Sequence, residues 1–247
     1  MGKVIVSTGR GGTGKSTFVA LASKYLNTPK LLIDLDPDES LADMVGVDLS
    51  DKTISSALYK IIEENKGAGR TGYNLLSDAM QSVLYKGKEF DFIALGTKFA
   101  VGCYCAPDAV LKDLIPTLVK DYQEVLVDSP AGLEHFNRKM VADIDDLFVI
   151  LDPSEKSTKH VKRVRDIIRE VKVSYNHLYL IGNYRFTEKT EEYLRRAGET
   201  YLGKIDYDPE VRQYNLEGRS LLDLPQDSPA ALSVRSILMK AGYKLQK

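Results

Sequence analysis

The chain has 247 residues, 43% hydrophobic and 28% charged, with a formal net charge of -1. That is enough to bury one substantial core, and the charge balance excludes a general attraction to nucleic acid or anionic lipid. No apolar run approaches the ~20 residues that cross a bilayer, and Met1-Gly2-Lys3-Val4 enters a strand pattern without room for a secretory leader. One cytoplasmic domain over residues 1–247 is expected, with neither a nucleic-acid nor a membrane partner.

In chain order, short apolar runs fall at residues 4–7, 31–33, 92–95, 125–127, 147–151 and 178–181, with a further strand over 201–205. Continuous apolar runs are what strands buried on both faces look like. Helical spacing separates them over 16–26, 110–122 and 156–173. The alternation predicts an α/β fold: a doubly wound, mostly parallel sheet with helices on both faces. Residues 65–73, rich in glycine and charge, read as a surface loop, and the helical pattern in 233–247 as a packing helix. The basic residues Lys162, Arg163, Arg165 and Arg169 are spread by helical periodicity over a solvated outer face.

In such sheets ligands sit beyond the carboxyl ends of the strands, so the residues just after each strand carry the functional signal. The first strand runs into Gly9-Arg10-Gly11-Gly12-Thr13-Gly14-Lys15-Ser16-Thr17, which matches G-x-x-x-x-G-K-[ST] between a strand and a helix. Its glycines allow backbone N–H groups to curl around phosphate oxygens. Lys15 reaches the β- and γ-phosphates, and the Ser16 hydroxyl suits magnesium. The second strand ends in Asp34-Leu35-Asp36-Pro37, where alternation sends Asp34 and Asp36 to one side. Asp36 is thereby the candidate for orienting the attacking water or holding magnesium. After the strand over 125–127 comes Asp128-Ser129-Pro130-Ala131-Gly132. Asp128 suits the outer magnesium shell, and the Gly132 N–H suits sensing of the γ-phosphate.

No N-K-x-D motif of guanine-specific proteins occurs. The strand over 178–182 ends instead in Asn183-Tyr184-Arg185, whose amide can pair with an adenine edge, so ATP is favoured over GTP. Asp208 and Pro209, beyond the next strand, are candidates for the other wall of the base pocket.

These motifs resemble the MinD/ParA-type ATPases, with G-K-G-G-x-G-K-[ST], D-x-D-P and D-x-P-A-G signatures, along nearly the whole chain. Gly102-Cys103-Tyr104-Cys105 and Asp128 to His135 look most like the CooC subfamily, nickel-handling ATPases that mature carbon monoxide dehydrogenase. The segments around Asp152-Pro153-Ser154 and Asn215 to Ala230 fit as well. The resemblance implies an ATP-dependent homodimer in which a phosphate-loop residue of one subunit reaches the other's phosphates. Most relatives use lysine there, and this chain has Arg10, which keeps the charge with a different reach and geometry.

Cys103 and Cys105 are the only cysteines. A C-x-C pair in an extended segment points both sulfurs one way, half of a tetrahedral thiolate set. A two-fold axis nearby would complete four sulfurs, for which nickel, zinc or a bridging iron-sulfur cluster are all suitable. Two packed apolar cysteines are the plain alternative. The resemblance places the pair on a dimer-facing loop and points to a carbon monoxide dehydrogenase-type client, with a positioning or partitioning ATPase and an iron-sulfur-bridged, ATP-dependent reductase as the alternatives. His135, just after the Asp128 to Gly132 segment, which acts as a switch if Gly132 senses the γ-phosphate, is expected to be structural, and His160 and His177 are expected to be ordinary polar positions.

Overall fold

The structure, a computed structural model, describes residues 2–50, 52–64, 82–97, 112, 115–137, 141, 143–195 and 198–246. Its first part runs β1 (Lys3–Gly9), α1 (Lys15–Ser23), β2 (Lys30–Asp34), α2 (Ser40–Val45), α3 (Ile54–Glu64), β3 (Tyr85–Lys86), β4 (Asp91–Ala94) and β5 (Glu124–Asp128). Then follow α4 (Glu134–Asn137), β6 (Asp143–Leu151), α5 (Glu155–Val171), β7 (Ser174–Gly182), α6 (Glu188–Arg195), β8 (Thr200–Lys204), α7 (Pro209–Glu217) and α8 (Pro229–Lys240). The strands form one sheet in the order β3-β4-β2-β5-β1-β6-β7-β8. Every pair is parallel except β3 with β4 at the edge.

Side-chain alternation divides the core into two layers. Ile5, Leu32, Leu126, Phe148 and Ile150 face one side, under Phe18 and Leu21 of α1 and Val234 and Leu238 of α8. Val4, Val6, Leu31, Ile33, Val125 and Val127 face the other, under Ile54 of α3 and Val161, Val164 and Ile168 of α5. Both faces of the sheet are therefore covered, which explains why the strands read as continuous apolar runs. The outer residues of α5, Lys162, Arg163, Arg165 and Arg169, are exposed as their spacing predicts.

The expected strands are all present: β1, β2 and β5 are longer by one or two residues at each end, β6 and β7 begin four residues earlier, and β4 and β8 are shifted back by one residue. The helix predicted over 110–122 differs: its described part is helical at 112 and 115–118, tightens into a 3-10 turn at Val119–Asp121, and ends at Tyr122 in an extended conformation. The last helix is α8, starting at Pro229, with the tail turning at Gly242 (φ 88°). That tail is tied to the sheet: the fully buried Asp146 accepts a short hydrogen bond from the Tyr243 hydroxyl and an ion pair from Lys3 at 2.6 Å. The predicted loop over 65–73 and both cysteines, Cys103 and Cys105, lie outside the described residues.

Candidate nucleotide-binding site

The strand order places β1 between β5 and β6, with β2 beyond β5, so the loops after β1, β2 and β5 open at the same end of the sheet. The loop after β1 closes on itself: Thr13 donates to the Arg10 carbonyl from both its hydroxyl (2.8 Å) and its N–H (3.4 Å). Gly12 (φ 72°) and Gly14 (φ 101°) take left-handed backbone conformations that L side chains resist. Gly9 is required by crowding, since a Cβ there would lie 2.4 Å from the Ile150 carbonyl oxygen. Lys15 is 6% exposed, its ammonium 3.5 Å from the Arg10 carbonyl at the centre of the loop. The Phe18 N–H bonds to the Gly14 carbonyl at 2.9 Å, so α1 begins directly behind the loop and aims its N-terminus into it.

A cavity of about 680 Å³ opens from this loop. Gly11 to Thr17 line one end, Asp36, Asp38 and Ala131 one side, and Asn183, Asp208 and Ala230 the far end. Ser16 and Thr17 are half-buried, and the Thr17 hydroxyl lies 3.9 Å from the Met44 sulfur.

The carboxylates divide their roles. Asp34 and Asp128 are directly opposite across β2 and β5, and neither is exposed. Asp34 accepts hydrogen bonds from the N–H groups of Asp36 (2.9 Å) and Leu41 (3.0 Å), so it shapes the loop after β2. Because β2 ends at Asp34, Asp36 sits in that loop rather than on the strand, half-buried against the cavity. Both oxygens of Asp128 are buried without a protein hydrogen-bond partner. Burial pushes the Asp128 pKa up to about 7, opposed by the Ser16 hydroxyl and the Lys15 ammonium. Burial and then the neighbouring Asp128 raise Asp34 as well. An orphaned carboxylate beside a serine hydroxyl and an ammonium suits a hydrated magnesium ion with phosphate oxygens. Ser16 and Asp128 are the residues that would hold it, and when bound it would neutralise charge on the phosphates.

The loop after β5 touches the phosphate loop: a Cβ on Gly11 would meet the Ala131 methyl at 3.7 Å. Gly132 is left-handed (φ 98°), with open space around it. Beyond it His135 is buried at 3% exposure, and burial with Lys15 and His160 pushes its pKa down to about 3.

At the far end, Asn183 is 2% exposed, with its side-chain oxygen taken by the Arg185 N–H (3.1 Å) and its amide nitrogen unpartnered. The Asp208 carboxylate accepts from the Glu210 N–H (2.9 Å), the Ser228 hydroxyl (2.5 Å) and the Ala230 N–H (3.4 Å), joining the starts of α7 and α8. Pro209 is the first residue of α7 and does not line the cavity. Arg185 also lies outside it, in a second, shallower cleft shared with Arg10, Asp152 and Ser154. There one Arg10 nitrogen is 3.2 Å from the Asp152 carboxylate and 3.3 Å from the Ser154 hydroxyl. Sequence reasoning missed Asp38, Tyr184 and Tyr207, which line the main cavity; their position just past strand ends was the available signal.

A model of the AAA domain family AAA_31 matches residues 1–180. An uncharacterized ATP-binding protein of Methanocaldococcus jannaschii is 31% identical, over 96% of this chain and 97% of its own. The carbon monoxide dehydrogenase accessory protein CooC of Rhodospirillum rubrum is 27% identical, over 96% of this chain and 95% of its own. Among solved structures, the septum site-determining protein MinD of Pyrococcus horikoshii, complexed with Mg-ADP, superimposes with a TM-score of 0.68 at 18% identity, covering 98% of this chain and 96% of its own. The chain is a MinD/ParA-type P-loop ATPase of the AAA_31 family.

Within that family it stands close to CooC. Among the described residues no cluster of three His, Cys, Asp or Glu side chains could hold a metal ion, and no helix is long and apolar enough to cross a membrane.

Proposed function

We propose that the chain binds ATP with magnesium in the 680 Å³ cavity, hydrolyses it as a homodimer, and uses the cycle to deliver nickel to a carbon monoxide dehydrogenase-type client. The observation that carries the ATPase reading is the unpartnered, buried Asp128 carboxylate beside Lys15 and Ser16. Nothing in the packing of a mere strand-to-helix turn calls for it. Lys15 balances the β- and γ-phosphate charge, Asp36 orients water, and the Gly132 N–H senses the γ-phosphate. Asn183 meets the adenine edge beside Asp208, while Arg185 and Pro209 act from outside the cavity. Arg10 reaches the partner subunit's nucleotide only after exchanging its contacts with Asp152 and Ser154.

The metal-delivery reading is supported by likeness to CooC over 96% of the chain and by the sequence pair Cys103 and Cys105. In it, nickel is the cargo and zinc the competing ion for a thiolate set shared between two subunits. The test measures ATP turnover, nucleotide-dependent sizing and bound metal together. Lys15→Ala is expected to lower turnover about a hundredfold or more. The unmodified chain is expected to dimerise with ATP and bind one nickel ion per dimer, lost in Cys103→Ala or Cys105→Ala. Metal binding and dimerisation unchanged in both cysteine variants would refute metal delivery; turnover unchanged in Lys15→Ala would refute the ATPase.

A further inference from the structure

Two aromatic rings stand at the far lip of the cavity. Strands β7 and β8 are parallel neighbours, with Gly182 opposite Lys204 and the Ile205 N–H donating to the Gly182 carbonyl at 2.9 Å. Their carboxyl-end loops therefore leave the sheet side by side, and each presents a tyrosine just past the strand. Tyr184 and Tyr207 line the same cavity as the phosphate loop, with ring centroids 5.6 Å apart and planes tilted by 50°. They are 46% and 58% exposed, so neither ring is being used to fill the core. Tyr184 is held in place: Arg185 Nε donates to its hydroxyl at 3.2 Å, with the guanidinium 5.5 Å from the ring centroid. Buried Asn183, with its unpartnered amide nitrogen, lines the same cavity.

We propose that Tyr184 and Tyr207 form a stacking wall for the nucleobase, and that this wall sets affinity for the nucleoside end of the ligand. The inference rests on the nucleotide reading above and adds to it the residues that grip the base face. Sandwiching a purine needs about 7 Å between ring planes, twice the ~3.5 Å carbon contact distance. Rings 5.6 Å apart and tilted leave no such slot. The base therefore lies against the open face of one ring while the other braces it. Stacking accepts any base, because every base has a π-face. Affinity thus comes from the tyrosines, and choice among bases falls to the donor on Asn183.

The test compares binding of ATP, GTP and inorganic tripolyphosphate, each with magnesium, by calorimetry. Tyr184→Ala, Tyr207→Ala and the corresponding phenylalanine variants are used. Each alanine variant is expected to raise the Kd for ATP about tenfold, and for GTP by a similar factor. Tripolyphosphate binding stays within about twofold, because phosphate contacts are at the other end. Phenylalanine restores ATP binding, since the face and not the hydroxyl is used. Both side chains are exposed, and unchanged melting temperatures confirm intact folding. ATP binding unaltered in both alanine variants overturns the proposal, as does equal loss of ATP and tripolyphosphate. If the unmodified chain binds neither ATP nor tripolyphosphate, the nucleotide reading itself falls, an outcome distinct from failure of the wall.

Discussion

Replacing His135 with leucine perturbs the segment that follows the switch loop after β5. The ring is 3% exposed, its centroid lies 4.0 Å from that of Phe136, and neither nitrogen has a hydrogen-bond partner. Burial, then Lys15 and His160, pushes its pKa down from 6.5 to about 3. The folded pKa is the lower one, so on acidification the unfolded chain takes up the proton first. Stability from this group is intact above about pH 6.5 and is lost as pH falls towards 3. At 1.36 kcal/mol per pH unit, going from pH 7 to pH 5 removes about 2 kcal/mol. His160, also lowered by burial, acts in the same direction, whereas the raised Asp34 and Asp128 act in the opposite one. The raw pH profile is thus composite, and the difference between the parent and His135→Leu isolates the single group. Urea unfolding at pH 7 and pH 5, at fixed ionic strength and followed by far-UV circular dichroism, measures it. The parent is expected to lose about 2 kcal/mol more than the variant over that interval. Equal losses in the two proteins would refute a neutral, buried His135.

Two further substitutions probe the frame around the cavity. Asp208→Ala removes an acceptor used by the Glu210 N–H, the Ser228 hydroxyl and the Ala230 N–H. It should cost about 2 kcal/mol, read as a melting temperature lower by about 4–8 °C, and an unchanged value would contradict the shared-cap account. Gly9→Ala would place a methyl 2.4 Å from the Ile150 carbonyl oxygen and force β1 away from β6. A loss of about 3 kcal/mol is expected in denaturant unfolding, and a stability within ~0.5 kcal/mol of the parent would show that the contact yields cheaply.

The phosphate loop and the buried strands were legible because their physics is local. A loop whose backbone must face phosphate needs glycine, and a strand covered on both faces needs apolar residues throughout. The division of labour between Asp34 and Asp36 was not legible. Strand alternation paired them, whereas the strand stops at Asp34, which turns inward to bond Asp36 and Leu41. The base end was half legible. Asn183 and Asp208 line the cavity, but the turn that bonds the Phe186 N–H to the Asn183 carbonyl (3.1 Å) carries Arg185 into the neighbouring cleft. The histidines also differ from their sequence-level equivalence: His160 is buried on α5, while His177 is 60% exposed at its side chain and pairs with Asp146 at 2.8 Å. Burial of that kind depends on which strand lies beside which, information that no single segment contains.

That same strand order gives Asp128 its meaning. Ser7, Asp128 and Asp34 form one row across β1, β5 and β2, so two buried carboxylates face each other at the phosphate end of the sheet. Asp34 is compensated by two backbone N–H groups, and Asp128 by none. A carboxylate retained for folding alone would be bonded as Asp34 is; Asp128 has only the Ser16 hydroxyl and the Lys15 ammonium against the cost of its burial, and a divalent cation would offset the rest. Asp128→Asn removes the repulsion and keeps the shape, so it should raise the melting temperature of the ligand-free chain by several degrees, equivalent to about 1–2 kcal/mol. The parent should gain about 2.7 kcal/mol from MgATP at a hundred times its Kd. The variant should respond equally to ATP with magnesium and to ATP with a chelator. A variant that melts lower than the parent yet keeps the full magnesium-dependent shift would make Asp128 a framework residue and detach the cation from the row.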